Sequence, residues 1–154
     1  MMPELIIFSL NILLLIILSA FFSSSETALT AVSEARIHQL ALQGNKRAIT
    51  IEKILAKKEK MISTILIGNN LVNIVASVYA TSFAISFFGE YGLVIITILL
   101  TIILVIFAEV IPKTYAYNHS DQTALSVAPI ISFIILILTP ATFITEHFAK
   151  IVLG

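Results

Sequence analysis

The chain has 154 residues, of which 58% are hydrophobic and only 12% charged, and its formal net charge is zero. Ordinary globular domains carry about 25% charged residues, so this composition excludes a water-soluble domain and predicts one membrane domain over residues 1–154. There is no cysteine, which excludes disulfides, cysteine metal sites and thiol catalysis.

Leu5 to Phe22 contains no charge and is dominated by Leu and Ile. About 20 apolar residues cross a bilayer, so a first span is expected over roughly 5–30. Met1-Met2-Pro3-Glu4 lacks the basic start of a secretory signal, so this run is expected to stay in the mature protein. It continues into the polar cluster Ser23-Ser24-Ser25-Glu26-Thr27, with no glycine or proline to stop it.

Residues 33–60 change character. Ile37, Leu40 and Ala41 share one helical face, and Ala48, Ile51, Ile54 and Leu55 another, while the basic residues fall mostly elsewhere. Gly44-Asn45 is a break signal. The pattern predicts two juxtamembrane amphipathic helices lying at the membrane surface, the alternative being a helical loop in water.

The second and third spans are expected over about 62–88 and 93–117, joined by the turn Gly89-Glu90-Tyr91-Gly92. Seven of the nine basic residues lie between residues 36 and 60, which places that segment in the cytoplasm and both the turn and the N-terminus outside. Residues 123–150 are apolar again but carry Pro129 and Pro140, so a broken pair of re-entrant or interfacial helices competes with a fourth span. The abrupt end at Leu153-Gly154 is that expected of a module within a longer chain.

Three polar clusters interrupt these spans. Ser23 to Glu26 closes the first. Asn69, Asn70 and Asn73 sit in the second at helical spacing. Glu109 sits in the third and is the sole charge between Glu90 and Lys113. An ionised carboxylate in hydrocarbon is costly and marks a functional site by default. Pro112 cannot donate the helical bond owed to the Ala108 carbonyl, which leaves a bare carbonyl beside the carboxylate. Asn73 and Glu109 match only approximately in depth, and a kink or recessed cavity is needed to bring them level.

All these donors are oxygens, the set preferred by magnesium, calcium or sodium, and the ligand types alone do not choose among them. Each cluster also has a bland reading. Ser23 and Glu26 fit a capping box, Ser and Asn serve as interhelical glue, and Glu109 can snorkel to the interface beside Lys113. An enzyme is not expected, because aspartyl-pair, zinc-protease and P-loop signatures are missing. The basic segment suits anionic lipid, and nucleic acid is not an expected partner.

Phe21-Phe22-Ser23-Ser24-Ser25-Glu26-Thr27-Ala28-Leu29, Leu66-Ile67-Gly68-Asn69-Asn70-Leu71-Val72-Asn73 and Ala108-Glu109-Val110-Ile111-Pro112-Lys113 together resemble the transmembrane domain of the CNNM/CorC magnesium transporters. The resemblance covers nearly the whole chain. It implies an all-α, homodimeric membrane domain with three spanning helices, juxtamembrane helices and a cytoplasmic C-terminus followed by cytosolic CBS-pair domains. It also implies Mg²⁺ efflux across the cell membrane by alternating access, with possible coupling to Na⁺. By the same resemblance a dehydrated Mg²⁺ is held by Ser23, Asn73 and Glu109 with backbone carbonyls, with Asn70, Gly68 and Ala108 beside it and Pro112 kinking the helix. Ala108 departs from the family, which usually has glycine there. The alternatives are a carrier for sodium or another cation, and a membrane anchor or dimerisation scaffold for a cytosolic sensor domain.

Overall fold

A computed structural model describes residues 2–153, which are helical almost throughout and contain no strand. Helix α1 is Met2–Ala31, α2 Glu34–Leu42, α3 Lys46–Leu55 and α4 Lys58–Ile103. A π-helical segment, Leu104–Val110, then leads into α5 Ile111–Asn118, and α6 is Ser120–Leu153. Three stretches are long and apolar enough to cross a membrane: Pro3–Ala31, Lys58–Asn118 and Ser120–Val152.

The chain divides into two compact units, residues 1–24 with 68–115 and residues 25–67 with 116–154. In the first unit α1 runs antiparallel to the first arm of α4. Phe8 stacks on Phe83 with ring centroids 3.8 Å apart, Asn11 Nδ2 donates to the Tyr79 hydroxyl at 3.0 Å, and Ser19 meets Asn73. Nearer the start of that arm the Phe22 ring lies against Gly68, where an added Cβ would stand 2.5 Å from Cε1 and Cζ. Only glycine admits that approach.

Gly89 takes φ 64° and ψ −160°, a left-handed φ that breaks the helical path of α4 and reverses the chain. The two arms then line a common cavity, with Ser77, Ala80 and Thr81 on one side and Ile96, Thr97, Leu100, Thr101 and Leu104 on the other. The bend thus falls within the expected turn Gly89-Glu90-Tyr91-Gly92.

In the second unit α3 packs against both α2 and α6. The break between α2 and α3 is at the expected dipeptide. Gly44 has φ 85°, and the Asn45 side chain accepts from the Arg47 and Ala48 amides to start α3. Ile37, Ala48 and Ile51 are fully buried and Ile54 nearly so. Part of each apolar stripe is thus covered by protein, because α3 packs against two helical neighbours, while Leu40, Ala41 and Leu55 stay half-buried. Asp121 ties the start of α6 to the start of α2, accepting from the Ser33 amide at 3.0 Å and from Arg36 Nη1 at 3.4 Å.

The segment expected as a broken pair over 123–150 is instead one helix, Ser120–Leu153, with Pro129 and Pro140 inside it. Membrane helices tolerate proline where neighbouring hydroxyls satisfy backbone groups. Around Pro140, Thr139 Oγ1 donates to the Ile135 carbonyl at 2.7 Å and Thr142 Oγ1 to the Thr139 carbonyl at 3.0 Å, beside the Leu136 carbonyl whose helical donor the proline removes.

Candidate cation site

The candidate residues Ser23, Gly68, Asn70, Asn73, Ala108, Glu109 and Pro112 all fall in the first unit. Ser23 lies within α1 and is fully buried. Because α1 runs without interruption to Ala31, no helix starts at Ser23 and the capping-box reading has no place there. Ser19, one turn earlier on the same face, is also fully buried. Its Oγ stands 2.8 Å from Asn73 Oδ1 and 3.1 Å from Asn69 Oδ1.

Ser19 is the residue the sequence pattern does not single out. One serine in an apolar helix carries little signal, and only its four-residue spacing from Ser23 marks it. Asn70, between the two converging amides, is exposed and points to another face. A hydroxyl has one proton, so it satisfies one of the two amide oxygens that meet it. The result is a part-buried cluster of three oxygens with a single hydroxyl hydrogen among them.

Glu109 lies inside the π-helical segment, whose register is fixed by the Ile111 amide donating to the Ile106 carbonyl. This sharpens the expected effect of Pro112. In an α-helix Phe107 would receive the Ile111 amide, which here goes to Ile106. In a π-helix it would receive the amide of residue 112, which is proline. The Phe107 carbonyl therefore lacks a helical donor in either register. Ala108 loses its α-helical donor to the same proline, and its methyl group is fully buried.

Asn69 and Glu109 stand at equal sequence distance on either side of Gly89. An antiparallel hairpin bent at that glycine brings them to one level, with Asn73 one turn nearer the bend. The depth mismatch expected between Asn73 and Glu109 is thereby reduced to about a helical turn, roughly 5 Å. Glu109 is partly buried, and among the described residues its carboxylate forms no ion pair or hydrogen bond. Among the described residues, no three His, Cys, Asp or Glu side chains are grouped so as to hold a metal ion. The oxygens of Ser19, Asn69, Asn73 and Glu109, with the Phe107 carbonyl, suit a hard cation.

Residues 10–154 match the family model described as the cyclin M transmembrane N-terminal domain. A UPF0053 protein of Haemophilus influenzae is 38% identical over 139 residues, covering 90% of this chain and 33% of its own length. The UPF0053 inner membrane protein YfjD of Escherichia coli is 43% identical over 107 residues, covering 70% of this chain and 25% of its own. The polyamine export protein of Haemophilus influenzae is 27% identical over 164 residues, covering 98% of this chain and 38% of its own. The chain thus spans about a third or less of the length of the first two relatives.

Proposed function

Because this chain belongs to the cyclin M transmembrane-domain family, we propose that it is the membrane core of a Mg²⁺ exporter working by alternating access. The observation that carries the reading is Glu109, a carboxylate without a protein counter-charge among the described residues, beside the donorless Phe107 carbonyl; counted from Gly89 it falls at the level of Asn69, whose Oδ1 meets Ser19 Oγ. Glu109 supplies the charge. Ser23, Asn73 and the serine and amide oxygens around them supply neutral ligands, and Pro112 holds the backbone open.

Mg²⁺ gives up its waters reluctantly and demands near-octahedral oxygen geometry. A dry site for it needs several oxygens fixed in advance, and close packing of Phe22 on Gly68 fixes two of the helices that bring them. Ala108 crowds the site by one methyl group relative to the glycine usual in the family. The basic segment 36–60 is the cytoplasmic side in this reading, and the Gly89 bend faces outside. Coupling to Na⁺ and pairing of two chains belong to the same proposal.

A second reading comes from the relative named a polyamine export protein, which makes an organic polycation an alternative cargo for the same carboxylate. One experiment tests both. Purified protein is reconstituted into liposomes, and Mg²⁺ binding, Mg²⁺ flux and spermidine flux are measured for wild type and Glu109→Gln. Mg²⁺ binding and flux in wild type, lost in the variant, support the exporter. Spermidine flux without Mg²⁺ flux favours the second reading, and unchanged Mg²⁺ flux in Glu109→Gln overturns the site.

A further inference from the structure

The α4 face that carries Asn69 and Asn73 continues as Ser77 and Thr81, each four residues on, so polar groups run in one stripe toward Gly89. The second arm answers with Thr97 and Thr101. Ser77, Thr81, Thr97 and Thr101 line a cavity of about 70 Å³ between the arms together with Ala80, Ile96, Leu100 and Leu104; Thr81 is half-buried, and Ser77, Thr97 and Thr101 are exposed at its mouth.

Hydroxyls in membrane helices usually bond a carbonyl of their own preceding turn. Ser9, Ser86 and Thr101 do so here, at 2.9, 2.8 and 2.8 Å. Among the described residues, the hydroxyls of Ser77, Thr81 and Thr97 make no such bond and no other. Three hydroxyls in the middle of apolar helices would each carry the cost of an unmet polar group unless something in the cavity serves them. The volume accommodates a few water molecules and not a full shell of six around a divalent ion. No charged residue lies between Lys60 and Glu90 or between Glu90 and Glu109, so nothing there would hold a dehydrated divalent cation.

We infer that this cavity is water-filled and is the outward leg of the cation path, where an ion leaving the Glu109 level regains its first waters. The inference rests on the transport reading for the ion, but the water in the cavity stands on the hydroxyls alone. The stripe supplies a continuous row of oxygens from Asn73 to Thr81, and Thr97 faces it across the cavity.

The chain has no cysteine, so single cysteines report accessibility without background. Ser77→Cys and Thr97→Cys are exposed to silver ions in proteoliposomes, with Val78→Cys and Ile98→Cys, both on exposed apolar positions, as controls. Reaction at least tenfold faster at the first pair is expected, and rates equal to the controls overturn the water-filled cavity. In parallel, Thr81→Val with Thr97→Val removes two hydroxyls at constant shape, while Thr81→Ser with Thr97→Ser keeps them. The valine pair is expected to slow Mg²⁺ efflux at least tenfold with Mg²⁺ affinity within twofold of wild type, and the serine pair to retain efflux. Wild-type efflux in the valine pair, or equal loss in both pairs, overturns the outward leg. Absence of Mg²⁺ binding and flux in wild type would instead overturn the exporter reading and the outward leg with it, and leave the silver result to decide the water.

Discussion

Ser19 Oγ lies 2.8 Å from Asn73 Oδ1, and Asn69 Oδ1 approaches the same hydroxyl at 3.1 Å, so one buried serine holds two amides of the neighbouring helix. Ser19→Ala removes the one donor that the two half-buried amide oxygens share. Interhelical hydrogen bonds in membranes are worth about 0.6 kcal/mol on average and up to about 1.7. The variant is expected to lose about 1 kcal/mol of stability and to bind Mg²⁺ more weakly. Unfolding in mixed detergent and a Mg²⁺ titration measure the two. An unchanged Mg²⁺ affinity would reduce Ser19 to a packing residue.

Gly68 is set against Phe22, and a Cβ there would be 2.5 Å from two ring carbons. Phe22 is almost fully buried and has nowhere to turn without moving α1. Gly68→Ala is expected to destabilise by about 1–3 kcal/mol, the usual range for overpacking. Phe22→Leu should recover most of that loss in the double variant while costing stability alone. A thermal unfolding cycle of the four proteins checks this, and simple additivity would show that the two residues do not press on each other.

Much of this arrangement is readable in the sequence, and the exceptions have physical causes. Hydropathy marks the spans, Gly44-Asn45 the break between α2 and α3, and Gly89 the hairpin bend, because only a few residues adopt those conformations. Three features are hidden. Ser19 looks like any small residue in an apolar helix until its partner helix is known. The π register at Glu109 is invisible because a missing proline donor is compatible with either helical register. Continuity of α6 through Pro129 and Pro140 is hidden because proline is a strong break signal in sequence, whereas a membrane helix can pass through it.

Glu34 and Lys58 join the start of α2 to the start of α4, with Lys58 Nζ 2.8 Å from Glu34 Oε1. The Lys58 hydrogen bond, and then its charge, hold the Glu34 carboxyl below its ordinary value of 4.5. A depressed carboxylate stabilises the folded form above that ordinary value, and the contribution disappears as pH falls through the lower folded value. Both side chains are exposed, and salt screens such a pair strongly. Unfolding midpoints are therefore expected to be flat between neutrality and pH 5 and to fall below about 4.5, more steeply in wild type than in Glu34→Gln at low salt. Equal acid slopes would remove the pair from the stability of the α2–α4 connection.

Pro112 makes a prediction in which stability and function move in opposite directions. It withholds an amide from Ala108 in the α register and from Phe107 in the π register, and the Ile111 amide is already committed to Ile106. Pro112→Ala restores a donor and removes the ring that clashes with a continuous helix, a relief of up to about 3 kcal/mol in ordinary helices. Packing limits the gain here, so the variant is expected to unfold at the same or a higher temperature. With a donor available, the segment Leu104–Val110 can return to α register, which turns the side chains beyond it and closes off the Phe107 carbonyl. Glu109 then no longer meets the level of Asn69 with a bare carbonyl beside it, and Mg²⁺ affinity should fall at least tenfold, about 1.4 kcal/mol. Calorimetric Mg²⁺ titration beside a thermal melt reads both quantities on one preparation. A variant with lower stability and intact affinity would show that the π segment is a packing feature and that Glu109 needs no help from the backbone.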